Sequence, residues 1–194
     1  ISKNRPEWLM LDMACQQIGV AICPIYPTTN VKELEFIFND ASVKHVFVSG
    51  QEILDKVLAV RNNVPTLQNI YSFDELPDSI NWKILLENIS ADDQAGMEKV
   101  KATIKAEHCA TIIYTSGTTG TPKGVMLSHR NIVTNVINSK NSFPFNDDLD
   151  ARALSFLPLC HSFERMVFYA YLSFAIHIHY SENLETIGEN LLEV

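Results

Sequence analysis

Ten consecutive residues carry most of the groups in this chain that could bind a phosphate-bearing ligand. Three glycines, five hydroxyl side chains and one lysine share these positions, which are Thr115, Ser116, Gly117, Thr118, Thr119, Gly120, Thr121, Pro122, Lys123 and Gly124. Glycine lets a ligand approach the backbone amides, and amides in a tight turn form a concave site for phosphate oxygens. The hydroxyl groups add donors, and the lysine adds a compact positive charge. A nucleoside triphosphate is the first ligand we expect.

Two other interpretations of this loop are weaker. A flexible Gly/Ser/Thr linker would not lie between two apolar runs, yet residues 111–114 and 125–127 are both apolar. A Walker A loop requires Ser or Thr directly after its lysine, and here Lys123 is followed by Gly124. The sequence therefore predicts a strand, a phosphate loop of a different kind and a second strand.

The segments around the loop alternate between strand and helix patterns. We expect strands at residues 20–26, 44–49, 69–73, 153–157 and 175–180, and helices at 7–18, 31–41, 52–60, 129–139 and 163–174, with two more within 81–107. The expected N-caps are Asn4, Asn30 in a capping box with Glu33, Ser128 and Ser162. This alternation predicts an α/β fold with largely parallel sheets flanked by helices.

Bulk composition narrows the class of protein. The 194 residues are 46% hydrophobic and 20% charged, which is typical of a globular protein. A formal net charge of −8 argues against a nucleic-acid partner, because phosphate backbones need basic patches. The four cysteines are widely spaced, which favours small apolar thiols in a reducing compartment over disulfides. The longest apolar stretch, residues 166–176, is too short for a membrane span.

Three segments resemble the AMP-binding, adenylate-forming enzymes. Residues 114–129, which contain the loop, are similar to the signature of that superfamily. Residues 156–165, Phe-Leu-Pro-Leu-Cys-His-Ser-Phe-Glu-Arg, resemble its long-chain fatty acyl-CoA synthetase branch, and residues 2–8 and 19–28 resemble the early part of its large domain. The resemblance implies that residues 1–194 form part of the large N-terminal domain. The remainder of that domain and the small C-terminal domain would then lie outside this chain.

The resemblance also implies a reaction and a site. A long-chain fatty acid would be activated with ATP to acyl-AMP and then transferred to coenzyme A. Residues 115–120, Lys123 and Gly124 would cradle the β- and γ-phosphates, and Thr118 would help to place Mg²⁺. His161 would flank the acyl carboxylate and the α-phosphate, so Lys123 and His161 are the expected catalytic residues. Because the adenylation lysine of the family is absent here, we expect the 194 residues alone to be inactive.

Several of these residues also have a structural interpretation. His161 could be a core or capping histidine, and the apolar helix at residues 163–174 could be core instead of the lining of an acyl pocket. Glu164 and Arg165 could form an internal ion pair.

Four further histidines could be considered for a role in the site. His177 and His179 lie on one face of a strand, where a metal could use them, but no third ligand is evident. His108 and His129 flank the loop segment and could sit near phosphate, although a structural role is the simpler interpretation.

Two alternatives for function stay open at this point. The parent could adenylate another carboxylic acid, such as an aryl, short-chain or amino acid, or it could be a non-catalytic nucleotide-binding module. We expect a fatty acid and ATP as small-molecule substrates and a cytoplasmic location. Peripheral membrane contact is an open alternative for a lipid substrate, although no amphipathic basic helix supports it.

Overall fold

The structure is a computed structural model of the chain, and it describes residues 1–87, 89–115, 120–140 and 150–194. Its helices are α1 (Pro6–Gln17), α2 (Val31–Asp40), α3 (Gln51–Val60), α4 (Ala91–Lys101), α5 (His129–Lys140), α6 (Ser162–Ser173) and α7 (Ile187–Glu193), with 3-10 turns at Arg61–Asn63 and Trp82–Leu86. Its strands are β1 (His45–Val48), β2 (Asn69–Ser72), β3 (Ile80–Asn81), β4 (Cys109–Thr115), β5 (Lys123–Ser128), β6 (Arg152–Ser155) and β7 (His177–Tyr180). The predicted alternation of strands and helices is confirmed.

The strands form three small sheets. Strands β1, β2 and β3 pair in parallel and in that order, and β6 pairs in parallel with β7. Strands β4 and β5 pair antiparallel, with Thr115 opposite Lys123. Only residues 116–122 connect β4 to β5, and a parallel return would need a crossover of about a dozen residues or more. The short connection between β4 and β5 therefore dictates an antiparallel pair among sheets whose other described strands are parallel.

The largest apolar core lies between α2, α3 and the first sheet. Leu34, Ile37 and Phe38 of α2 are all buried, as their spacing of three and four residues predicts. Val46 and Val48 alternate with half-exposed positions on β1 and point into the same core. This core fixes the first sheet.

The expected cap at Asn4 is wrong. Arg5 precedes α1, which starts at a proline whose missing N–H needs no cap. The Asn4 side chain reaches a distant segment instead. Its amide nitrogen donates to the Ser155 hydroxyl (3.2 Å) and to the Leu157 carbonyl (2.7 Å), and its amide oxygen accepts from the Leu159 N–H (2.9 Å). Asn4 thus holds the segment that follows β6.

The expected strand at residues 20–26 is also wrong. Within it a single bridge joins Ile22 to Thr111 of β4 in parallel. The Ile22 amide donates to the Ala110 carbonyl, and the Ile112 amide donates to the Ile22 carbonyl. Pro24 and Pro27 have no N–H to donate, so the pairing does not extend toward residue 26.

Other local expectations have mixed outcomes. The Ser128 hydroxyl accepts from the Asn131 amide at 3.2 Å, which confirms the cap of α5. The Asn30 side chain accepts a hydrogen bond from the Glu33 amide at 3.0 Å, as a capping box requires. The reciprocal bond, from the Asn30 amide to the Glu33 side chain, is not among the hydrogen bonds of the described residues. Residues 81–107 contain the two expected helices, of which the first, Trp82–Leu86, is a 3-10 helix and the second is α4.

Within the ranges described above, no helix combines the length and the apolar character needed to cross a membrane. All four cysteines are free thiols. Burial raises the pKa of Cys15 and Cys160 to about 11, so both thiols are protonated at neutral pH and behave as small apolar groups.

Candidate functional site

The hairpin of β4 and β5 brings the described residues of the phosphate loop to one end. Thr115 and Lys123 are the last registered pair, both are exposed, and Gly124 lies directly after Lys123. Gly120 is exposed and has a φ of +84°, a left-handed conformation that favours glycine. The remaining loop residues predicted to bind the cofactor, Ser116, Gly117, Thr118 and Thr119, lie outside the described residues. The expected magnesium contact of Thr118 lies there too.

A packing constraint explains why position 124 is glycine. A Cβ atom there would lie 2.9 Å from Cγ2 of Ile112 and 3.1 Å from Cζ of Tyr114, both on the facing strand. The Tyr114 hydroxyl donates a hydrogen bond to the Asp40 carboxylate at the end of α2. Burial and this carboxylate together raise the pKa of Tyr114. The Tyr114 phenol therefore stays neutral, and its side chain joins the hairpin to the apolar core between α2, α3 and the first sheet.

His161 lies between β6 and α6 and is the N-cap of α6. Its Nδ1 accepts a hydrogen bond from the Phe163 amide at 3.2 Å, so the expected cap at Ser162 is wrong. A ring nitrogen that accepts from an N–H carries no proton, which places the proton of the neutral ring on Nε2. The side chain is exposed. His161 therefore caps α6 through Nδ1, and no hydrogen bond within the described residues engages its Nε2–H.

The ion pair expected between Glu164 and Arg165 is wrong. Glu164 is buried and accepts from the Ser155 hydroxyl at 2.6 Å, and burial raises the pKa of this carboxyl. Arg165 pairs with Asp12 of α1. Adjacent residues of a helix point in directions about 100° apart, so they reach different neighbours.

Arg165 lies at the centre of a buried polar network, and its own side chain is only 3% exposed. Its Nη2 donates to Asp12, its Nε to the Tyr169 hydroxyl (2.8 Å) and its Nη1 to the Thr111 hydroxyl (2.6 Å). The Thr111 hydroxyl donates in turn to the Ile22 carbonyl (2.7 Å). The Tyr169 hydroxyl donates to Asp12. Every group in this chain of contacts has a partner.

This network was not predicted from the sequence. The one local signal is the presence of polar pairs four residues apart on apolar helices, Asp12 with Gln16 and Arg165 with Tyr169. The Gln16 amide donates to both Asp12 (3.1 Å) and Tyr169 (2.7 Å). Such pairs share one face of a helix and so can enter one buried site together.

The network connects the two parts of the predicted site. Thr111 lies on β4, four residues before Thr115, where the phosphate loop begins. Arg165 lies on α6, one turn after His161. The hydrogen bond between Arg165 and Thr111 therefore fixes the strand that enters the loop against the helix that carries the histidine.

The acyl-pocket interpretation of α6 finds no room on its buried face. The cavity between this helix and the hairpin measures about 20 Å³ and is lined by Thr111, Ile113, Leu127, Ile132, Ser162, Arg165, Met166 and Tyr169. That volume is close to the least that holds a single water molecule. Phe168 and Ala170 are buried, whereas Phe163 is 58% exposed. Within the described residues, the buried face of α6 is core.

The other histidines are remote from the loop. His108 and His129 sit at the opposite end of the hairpin, about 20 Å along the strands from Thr115 and Lys123. The His129 amide donates to the His108 carbonyl, and burial, followed by the neighbouring His108, lowers the pKa of His129. Their role is structural. The exposed His177 and His179 belong to no group of three or more metal-binding side chains in the described part of the chain.

Comparison with known proteins agrees with this fold. A profile of the AMP-binding enzyme family matches residues 1–192. The chain is 32% identical over 196 residues to a peroxisomal long chain acyl-CoA synthetase 6 of Arabidopsis thaliana, covering 96% of this chain and 27% of that protein. It is 30% identical over 182 residues to human long-chain-fatty-acid–CoA ligase 6, covering 86% and 25%. The chain spans about a quarter of the length of these relatives.

Solved structures share the fold. A luciferase-like enzyme of the nonluminescent mealworm Zophobas morio matches with a TM-score of 0.79 at 16% identity, covering 98% of this chain and 42% of that one. A long-chain-fatty-acid–CoA ligase of Archaeoglobus fulgidus matches with a TM-score of 0.75 at 20% identity, covering 99% and 37%. Fold and site together define an α/β domain built around a glycine- and hydroxyl-rich hairpin loop. The chain belongs to the AMP-binding enzyme family.

The packing at Gly124 generates a stability prediction. Replacing Gly124 with Ala in the full-length protein should destabilise it by about 1–3 kcal/mol, because the new Cβ displaces Ile112 and the Tyr114 ring. Gly188→Ala is the matched control: nothing lies within 4 Å of the added Cβ, and alanine in a helix should be neutral or stabilising by up to about 1 kcal/mol. Thermal unfolding measures both. Equal melting temperatures for the two variants would contradict the packing account.

Proposed function

We propose that the full-length protein is an AMP-forming long-chain fatty acid–CoA ligase. The observation that carries this proposal is the hairpin end, where Thr115, Gly120, Lys123 and Gly124 converge in a chain of this family. The names of the most similar relatives support the long-chain substrate class. ATP and coenzyme A are the implied co-substrates.

The proposed reaction has two steps. A carboxylate oxygen of the fatty acid attacks the α-phosphorus of ATP, the bond between the α- and β-phosphates breaks, and pyrophosphate leaves. The thiol sulfur of coenzyme A then attacks the acyl carbon. The bond from that carbon to the oxygen on the α-phosphorus breaks, AMP leaves with this oxygen, and the thiol proton is released. Neither step needs a covalent protein nucleophile. The protein must hold two anions in line and stabilise the charge that develops on pyrophosphate.

The hairpin loop supplies donors for that charge. Amides and hydroxyls of residues 115–120, with Gly124, surround the β- and γ-phosphates in this proposal, and the Lys123 ammonium binds their oxygens. Lys123 and Thr115 are exposed and paired across the hairpin, so both face the solvent from which a nucleotide arrives. Donors fixed before the reaction stabilise developing charge without reorganisation.

His161 acts at the acyl end of the nucleotide. Its Nδ1 is engaged by the Phe163 amide, which leaves Nε2–H as a donor. In this proposal that donor binds a carboxylate or α-phosphate oxygen. A hydrogen bond from this donor stabilises negative charge on that oxygen without transferring a proton.

Thr118 is the proposed Mg²⁺ contact in this chain. The residues that the structure describes contain no group of three or more His, Cys, Asp or Glu side chains able to bind a metal. Hydroxyl oxygens fit Mg²⁺, which in phosphate-transfer sites is held largely by substrate phosphates, water and one or two protein oxygens. When bound, the ion neutralises charge on the phosphate oxygens.

A cytoplasmic location with peripheral membrane contact belongs to the same proposal.

The Lys123 assignment is tested by ATP–pyrophosphate exchange on the full-length protein. Wild type should exchange with palmitate in preference to acetate, benzoate or amino acids. Lys123→Ala should lower exchange by about 10²- to 10³-fold, the usual effect of removing one preorganised donor. Lys32→Ala, which removes the same charge from an exposed position of α2, should leave the rate unchanged. Exchange by Lys123→Ala at the wild-type rate would sink the loop assignment, and no exchange by wild type with any carboxylic acid would favour the non-catalytic module.

The two roles of His161 can be separated by substitution. His161→Ala removes the cap of α6 and should cost about 1 kcal/mol of stability. His161→Asn keeps a side-chain acceptor of the type preferred at N-caps, so its melting temperature should match that of wild type. Both variants lose the Nε2–H donor, and both should lower fatty-acid-dependent exchange by about 100-fold. Full activity in His161→Asn would show that His161 is only a cap.

A further inference from the structure

The network around Arg165 joins three elements that are far apart in the sequence. Asp12 comes from α1, Thr111 from β4, and Arg165 with Tyr169 from α6. Asp12 and Thr111 are each 1% exposed. The guanidinium also lies 5.6 Å from the centroid of the Trp8 ring, in the range of a cation–π contact. No face of this group is open to a ligand.

This burial excludes a direct role in binding substrate. The Nε, Nη1 and Nη2 atoms of Arg165 all donate within the network, and the side chain is 3% exposed. A group that acts on phosphate or carboxylate must reach it, and this one cannot do so without abandoning Asp12. Any effect of Arg165 on the reaction must act through the elements that it holds.

Stability alone is a weak reason for such a group. Burying an ion pair costs desolvation energy that the attraction between the charges often only offsets, and apolar residues of similar volume can serve as well. The guanidinium makes directional hydrogen bonds, because its N–H donors have fixed positions in one plane. A bond at each position defines where α1 and β4 must lie relative to α6.

We propose that Arg165 is a positioning residue, which acts through Thr111 to hold the strand that enters the phosphate loop against the helix that carries His161. The inference rests on the proposed function, since it concerns the same site. The Thr111 hydroxyl is the decisive contact. It accepts from Arg165 and donates to the Ile22 carbonyl, so its loss leaves one buried donor of α6 without its acceptor and removes one of the two hydrogen bonds that the Ile22 carbonyl accepts.

Thr111→Val tests the proposal in the full-length protein. Valine has the shape of threonine and lacks the hydroxyl, whereas Thr111→Ser keeps the hydroxyl and loses a methyl group. Val57→Ala, in the core beneath the first sheet and outside the network, is the control for a general loss of stability. Two readouts are needed: amide hydrogen exchange in peptides covering residues 112–124 and 158–166, and the kcat and KM for ATP in palmitate-dependent pyrophosphate exchange.

Thr111→Val should speed hydrogen exchange in both peptides and lower kcat by 10- to 100-fold, since a displacement of about 1 Å can cost 100-fold in rate. Thr111→Ser should keep both readouts within about twofold of wild type, because serine retains the hydroxyl. Val57→Ala should lower the melting temperature without affecting either peptide or kcat. The proposal is overturned if Thr111→Val matches Val57→Ala in both readouts, or if Thr111→Ser behaves like Thr111→Val. If wild type shows no pyrophosphate exchange, the proposed function fails, and hydrogen exchange still decides the positioning role.

Discussion

The buried pair of Arg165 and Asp12 is the constraint on which the rest of the site depends. A charged guanidinium with almost no exposure must satisfy its donors inside the protein. Here those donors are satisfied by α1, β4 and α6 at once. Removing one partner would leave an uncompensated buried group, so the three elements hold a single arrangement. The strand that enters the loop and the helix that follows His161 are therefore joined in one buried hydrogen-bond network.

Further contacts on each side of that pair complete the placement of the site. On the His161 side, Asn4 binds the segment after β6, and the Ser155 hydroxyl links that strand to Glu164 of α6. On the loop side, Tyr114 ties the hairpin to Asp40 of α2, and its ring occupies the space over Gly124. The loop and the histidine are thus each anchored from outside the hairpin. These contacts position the strand ends from which, in the proposed function, the loop binds a polyanionic ligand.

The parts of the fold that depend on local pattern could be predicted from the sequence. The stripe at Leu34, Ile37 and Phe38 identified α2, and the apolar runs on either side of the loop identified β4 and β5. The cap at Ser128 was predictable because both partners lie within one turn. In each case the partners are close neighbours in the chain.

Two of the predictions that failed depend on partners far away in the chain, and a third depends on which of two adjacent residues caps a helix. Asn4 was expected to cap α1, but its bonds run to residues more than 150 positions later. His161 took the capping place expected of Ser162, because the imidazole Nδ1 faces the helix amide. Arg165 was assigned to its neighbour Glu164, whereas its partner Asp12 lies 153 positions away. No local pattern reports the pairings of Asn4 and Arg165, because their partners lie more than 150 positions away.

The central claim is that this hairpin end binds the phosphates of a nucleotide, with His161 nearby. The most direct measurement is a crystal structure of the full-length protein with a non-hydrolysable ATP analogue and a fatty acid. The account predicts phosphate oxygens within hydrogen-bond distance of the loop amides and of Lys123 Nζ, and His161 Nε2 within reach of the carboxylate or the α-phosphate. A triphosphate bound away from residues 115–124, with Lys123 in solvent, would contradict it.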